Sequence, residues 1–156
     1  ALATFGCKKK STNPEIAVRA FIKKTEELVE ARNLSELEDR IASNYLSSRG
    51  MKKQRVVALL QLQFLRRRSI HLFTRIMSLV ISEDGKEANV SVLVAMAGKS
   101  VETVSSLKGL RADLMRFRFR LTLDGDDWQL QSSQWNRAKL GDFLRAAVQS
   151  DVDLEE

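Results

Sequence analysis

Leu114-Met115-Arg116-Phe117-Arg118-Phe119-Arg120-Leu121-Thr122-Leu123, then Asp124-Gly125-Asp126-Asp127, then Trp128-Gln129-Leu130-Gln131-Ser132-Ser133-Gln134-Trp135, is the stretch that decides the fold. Apolar residues at 115, 117, 119, 121 and 123 alternate with Arg116, Arg118, Arg120 and Thr122, the period of two of a strand with one dry and one wet face. An Asp-Gly pair between two such runs marks a hairpin. Residues 114–123 and 128–135 therefore read as two long antiparallel strands. Phe117, Phe119 and Leu121 face a core, and a row of guanidinium groups lies on the other side.

Upstream, the same period of two gives strands at residues 70–82 and 88–97 around the turn Glu83-Asp84-Gly85-Lys86. Residues 98–109 are polar and read as an excursion between strands, with a helical turn at 104–107. Before residue 69 the period is near 3.6. Asn13 followed by Pro14 is an N-cap and first-turn proline, opening a helix whose Val18, Phe21, Thr25 and Leu28 form one stripe. Ser35 with Glu38 reads as a capping box opening a short second helix with Leu37, Ile41 and Tyr45 on one side. A third helix, residues 52–67, is expected to bury Val56 or Val57, Leu60 and Phe64, and Phe117, Phe119 and Leu121 are expected to be buried against Phe21 of the first helix or Leu60 or Phe64 of the third. Residues 140–148 read as a last short helix before an acidic end at 151–156. Helices followed by a run of antiparallel strands make an α+β domain, with the helices on one face of a curved sheet.

At 156 residues the chain is sized for one domain, and such a chain buries about two thirds of its unfolded surface. The division is residues 1–13 as a leader remnant and tether, 14–148 as the domain and 149–156 as an acidic tail. A net charge of +6 favours acidic partners such as nucleic acid, anionic lipid or lipopolysaccharide; a solvated basic surface without a dedicated site is the blander reading and is preferred. The one cysteine, Cys7, leaves no disulfide within the chain and no cysteine-rich metal site. Ala3-Thr4-Phe5-Gly6-Cys7 followed by Lys8-Lys9-Lys10 resembles a bacterial lipoprotein cleavage site, with Cys7 as the lipidated residue; Thr4 stands where leucine is usual. An ordinary N-terminus with a free thiol is the competing reading. No run of ~20 apolar residues is present to cross a bilayer, so membrane attachment rests on Cys7.

The layout of three helices and long strands ending in the Trp128–Trp135 hairpin resembles the nuclear transport factor 2-like, or SnoaL-like, cone of the cystatin-like kind. Ser69-Ile70-His71-Leu72-Phe73-Thr74-Arg75, Val94-Ala95-Met96-Ala97-Gly98 and Leu110-Arg111-Ala112-Asp113-Leu114 onward resemble uncharacterised bacterial lipoproteins of that superfamily. The resemblance spans about residues 14–143 and implies N-terminal helices packed on a strongly curved antiparallel sheet. It also implies that enzymes of this kind hold acidic residues or histidines deep in the cone, and that the outer sheet face often meets a second subunit. It implies fold far more than activity.

Few residues here could fill such a catalytic role. His71 is the only histidine and shares a strand side with Phe73, Arg75 and Met77, which favours a structural histidine over a catalytic one. Asp113 lies at a strand mouth, and Asp39 is turned outward on its helix. Catalytic candidates are His71, Tyr45 and Asp113; Tyr45, His71 and Trp135 are the residues to inspect for a ligand-binding cavity. No serine sits in a nucleophile turn, no glycine loop cradles phosphate, and Glu83-Asp84 with Asp126-Asp127 read as turn acids, so neither a metal nor a cofactor is expected. Arg116, Arg118 and Arg120 stand ~6.6–6.8 Å apart on one strand, a spacing that suits phosphates or acidic side chains along a groove, or the acids of a partner subunit. Without aromatics on that face, nucleic acid is not the expected ligand. The alternative is solvated arginines paired with Gln129, Gln131 and nearby acids.

The reading that results is a non-catalytic lipoprotein domain of the bacterial cell envelope, facing the periplasm. It acts as a ligand-binding or protein-interaction module and pairs through the sheet face as a homodimer. The alternatives are a small-molecule enzyme of isomerase or dehydratase type using the cone cavity with His71, and a polyanion-binding protein using the arginine row. Without lipidation the expected location is cytoplasmic. If Cys7 carries the anchor, chain made in a bacterial host partitions into membranes and Cys7→Ser releases it; equal partition of both forms would remove the lipoprotein reading.

Overall fold

A computed structural model of the chain describes residues 13–153. Cys7, most of the expected tether and the last three residues of the acidic tail lie outside the described residues.

Helix α1 spans Pro14–Glu30. Asn13 caps it by accepting the Glu15 N–H at 3.0 Å, and Pro14 takes the first turn, where its missing donor costs nothing. The helix ends in a left-handed turn at Arg32, φ 54°, with Arg32 N–H on Val29 C=O and Asn33 N–H on Leu28 C=O, so the last carbonyls are satisfied. The short helix α2 is Leu34–Asp39, and its cap is Asn33, which accepts the Glu36 N–H at 3.2 Å. The expected Ser35–Glu38 box is therefore corrected: Asn33 comes first and brings the helix in two residues earlier. Arg40 ties α2 to α1 by donating to Phe21 C=O at 2.9 Å, its guanidinium 4.1 Å from the Phe21 ring centroid.

Helix α3 is Lys53–Arg66. Strands β1, His71–Ile81, β2, Glu87–Ala97, β3, Ala112–Asp124, and β4, Asp127–Arg137, form one antiparallel sheet in the order β1-β2-β3-β4. The expected C-terminal hairpin is present and longer than read, its strands closing on the Asp124–Asp127 pair with Gly125 at φ 61°. A bulge at Gln131 opposite Arg120 and Leu121 lets Leu130 and Ser133 point to the same side of the sheet. A short 3-10 turn at Val104–Leu107 joins β2 to β3, and helix α4 is Leu140–Asp153.

Two apolar clusters lie on opposite faces of the sheet. On the inner face Val18, Phe21 and Ile22 of α1 pack on Ala88, Val90, Val92, Leu121 and Trp128, with Phe119 and Leu130 at the margin. On the outer face Phe143 and Ala146 of α4, with Val101, Val104 and Leu107, pack on Phe73, Leu93, Ala95 and Ala97. The expectation that all helices share one face is thus corrected. The run Val92-Leu93-Val94-Ala95-Met96-Ala97 is apolar on both sides, so the end of β2 needs a second cover, which α4 supplies.

The role expected of α3 is corrected as well. No residue of α3 is buried; Val56, Leu60 and Phe64 are only half-buried, and the core at the hairpin is closed by α1 instead. Leu121 and Phe143, both fully buried, measure the two cores separately. Leu121→Ala is expected to cost about 2–5 kcal/mol and Phe143→Ala about 3–5 kcal/mol in denaturant unfolding. A loss below about 1 kcal/mol for Phe143→Ala would mean that α4 is not part of the fold.

Candidate binding surface

Tyr45 is 2% exposed, and its phenol is hydrogen-bonded to the Ser133 hydroxyl on the inner side of β4. It is held there because residues 40–48 run along the free edge of β4. Leu130 N–H donates to Arg40 C=O at 2.8 Å, Ala42 N–H to Leu130 C=O at 2.9 Å, and Ser48 N–H to Ser133 C=O at 3.1 Å. Burial pushes the Tyr45 phenol above its ordinary pKa, and the Ser133 bond works against that rise. Tyr45 is therefore a protonated buckle between strap and strand. Trp135, two residues on, is half-buried beside Phe117, ring centroids 6.4 Å apart, with the Arg49 guanidinium 5.8 Å from its ring centroid.

His71 and Asp113 stand apart from this pair. His71 begins β1, three strands from β4, on the outer side with Phe73; its Nδ1 is 4.0 Å from Glu30 Oε2 at the sheet edge. Asp113 sits at the start of β3, exposed, and is ion-paired with Arg67, which follows α3 and whose Nε reaches Gln63 Oε1 at 3.3 Å. The structure thus brings Tyr45 and Trp135 to one strand but does not assemble Tyr45, His71, Asp113 and Trp135 into one constellation.

The arginine row divides into three different environments. Arg116 lies under α4, its guanidinium 3.6 Å from Asp142. Arg120 crosses to Glu87 of β2 at 2.7 Å. Arg118 is exposed and has no hydrogen bond or ion pair among the described residues. The cross-strand neighbours of the row are Asn136, Gln134 and Ser132 in place of the expected Gln129 and Gln131; the bulge shifts the register, and Gln131 turns away to Asn44. Around Arg118 the part of the outer face that α4 leaves bare forms an open depression of about 470 Å³, edged by Ser78, Asn89, Ser91, Ser132 and Gln134.

Asp142 is the residue that sequence reasoning missed. It accepts the Lys139 N–H at 2.9 Å and the Arg145 guanidinium at 2.6 Å and faces Arg116, so it both caps α4 and holds it to the sheet. An acidic residue in the first turn of the expected helix was the available signal. The Lys139 backbone bond, then the arginines, hold its carboxyl below the ordinary range.

No protein-family model matches the chain, and no curated protein matches it in sequence. Solved structures do match in shape. A nuclear transport factor 2-like protein of unknown function from Pseudomonas putida shares 17% identity at a TM-score of 0.59, over 81% of this chain and 87% of that one. A candidate scytalone dehydratase from Novosphingobium aromaticivorans shares 10% at 0.62, over 80% and 84%. Bd1075 of Bdellovibrio bacteriovorus shares 9% at 0.60 over 78% of this chain, which spans only 40% of Bd1075. The chain has the α+β nuclear transport factor 2-like cone fold, and likeness at these identities carries the fold alone.

With the folded pKa of Asp142 lowered, its contribution to stability is present above the unfolded value of about 3.9 and is lost as pH falls through the folded value. Asp142→Asn is therefore expected to lower the melting temperature at neutral pH, with the gap to the parent closing as the pH falls below about 4. A gap independent of pH would show that the charge of Asp142 does not hold α4.

Proposed function

We propose that the chain is a non-catalytic interaction module of nuclear transport factor 2-like fold that takes an acidic partner on the bare outer face of its sheet. The observation that carries this reading is Arg118, an exposed guanidinium set among hydroxyl and amide side chains in the outer depression, while its neighbours Arg116 and Arg120 are engaged by Asp142 and Glu87. A guanidinium of this kind offers a bidentate fork to a carboxylate, and the surrounding Ser and Asn groups supply further hydrogen bonds. The dispersal of His71 and Asp113 supports binding over proton transfer: they stand at the starts of different strands, Asp113 is engaged by Arg67, and neither lines the outer depression. Attachment to the cell envelope is part of the same proposal and rests on the residues around Cys7.

Retention on a polyglutamate matrix tests the site. Arg118→Gln is expected to elute at lower salt than the parent, a charge-assisted bond contributing about 1.5–3 kcal/mol, while Arg116→Gln elutes with the parent because Arg116 is engaged by α4. Identical elution of Arg118→Gln and parent would remove the proposal.

A further inference from the structure

From Arg40 to Ser82 the chain carries nine Lys and Arg and no Asp or Glu. Helix α3 lies in the middle of this acid-free stretch. Seven of its 14 residues, Val56, Val57, Leu59, Leu60, Leu62, Phe64 and Leu65, are large and apolar, and they occur all round the helix, so one cover cannot hide them. The side turned toward the domain is half-buried. The other side, read along Arg55, Ala58, Leu62 and Leu65 at three- and four-residue spacing, is in solvent, with Leu62 39% and Leu65 79% exposed. Exposed cations frame it at both ends, Lys52 and Arg55 before the leucines, Arg66 and Arg68 after them. Leu46, 50% exposed, pairs with Lys52 at the same end.

We infer that this outer side of α3 is a docking surface for an anionic lipid bilayer. Leucines on one side of a surface helix, cations at its borders and no acid in its own stretch of chain suit a helix lying in the interface, the neighbouring carboxylate of Asp113 being taken up by Arg67: the apolar chains enter the acyl boundary and the framing cations meet lipid phosphates. Charge decides for this occupant, because four framing cations without an acid repel a second copy of the same surface, whereas an anionic membrane attracts all four at once. The inference is separate from the outer-sheet site, since Arg118 belongs to β3 and takes no part in it.

The test uses the full chain carrying Cys7→Ser, so that acylation contributes nothing, in co-sedimentation with vesicles of phosphatidylglycerol and phosphatidylcholine and with vesicles of phosphatidylcholine alone. The parent is expected to sediment with the anionic vesicles only, and less so as salt rises. Leu62→Gln with Leu65→Gln is expected to lower partition at least tenfold. The combined Arg55→Gln, Arg66→Gln and Arg68→Gln variant is expected to lower it about a hundredfold, at about fivefold per cation, while the melting temperature stays put and Arg118→Gln binds like the parent. Failure of the parent to bind anionic vesicles, equal binding to neutral ones, or indifference to the α3 substitutions overturns the inference. So does self-association of the parent that the leucine substitutions abolish, which would assign the stripe to a second copy.

Discussion

Burial of β2 on both faces is the constraint from which the rest of the architecture follows. Ala88, Val90 and Val92 face one layer while Leu93, Ala95 and Ala97 face the other, and none of the six is more than 2% exposed. A strand of this kind cannot sit on a sheet with one wet face; it requires a cover on each side at the point where its own apolar run demands it. Helix α1 supplies one near the hairpin ends, and α4 with the 3-10 turn supplies the other near the start of β1. Because the two covers are staggered along the sheet, part of the outer face stays bare, and the depression around Arg118 lies there.

Local rules with strong signals were legible. Alternation across residues 114–123, the Asp-Gly turns and the Asn13-Pro14 helix start all survive in the structure because each depends on a few neighbouring residues. What was not legible depends on contacts distant in sequence. The side on which α4 packs follows from β2, and its sequence signal, six apolar residues in an unbroken run, is ambiguous until the neighbouring layers are known. The bulge at Gln131 has no local signature, yet it turns Ser133 inward to Tyr45 and sets which residues flank the arginines. At the site, Arg118 could be named from the pattern. Its difference from Arg116 and Arg120 could not, since their partners are a helical Asp142 and a β2 Glu87.

Charge is organised by the same geometry. Carboxylates from α1 sit along β1, with Glu26 accepting the Thr74 hydroxyl at 2.7 Å and Glu30 the Leu72 N–H at 3.4 Å. The cations of residues 40–82 have fewer acids to meet, and only some are used internally: Lys53 Nζ donates to Ile41 C=O at 2.8 Å, and Arg67 reaches Asp113. A net charge of +6 is therefore concentrated and not spread, which a total cannot convey.

The strap of residues 40–48 on β4 has a consequence for how copies of this domain can meet. A bare strand edge is an unending template, because each added chain presents a fresh edge to the next. Here one edge is closed by backbone bonds to Arg40, Ala42, Leu46 and Ser48, and the other is hemmed by Glu26 and Glu30 and broken by a bulge between Ile76 and Ser78. Closure of the β4 edge is thus a property of the loop before α3, and lengthening or loosening that loop would bare the Leu130–Ser133 backbone to strand pairing with a second chain.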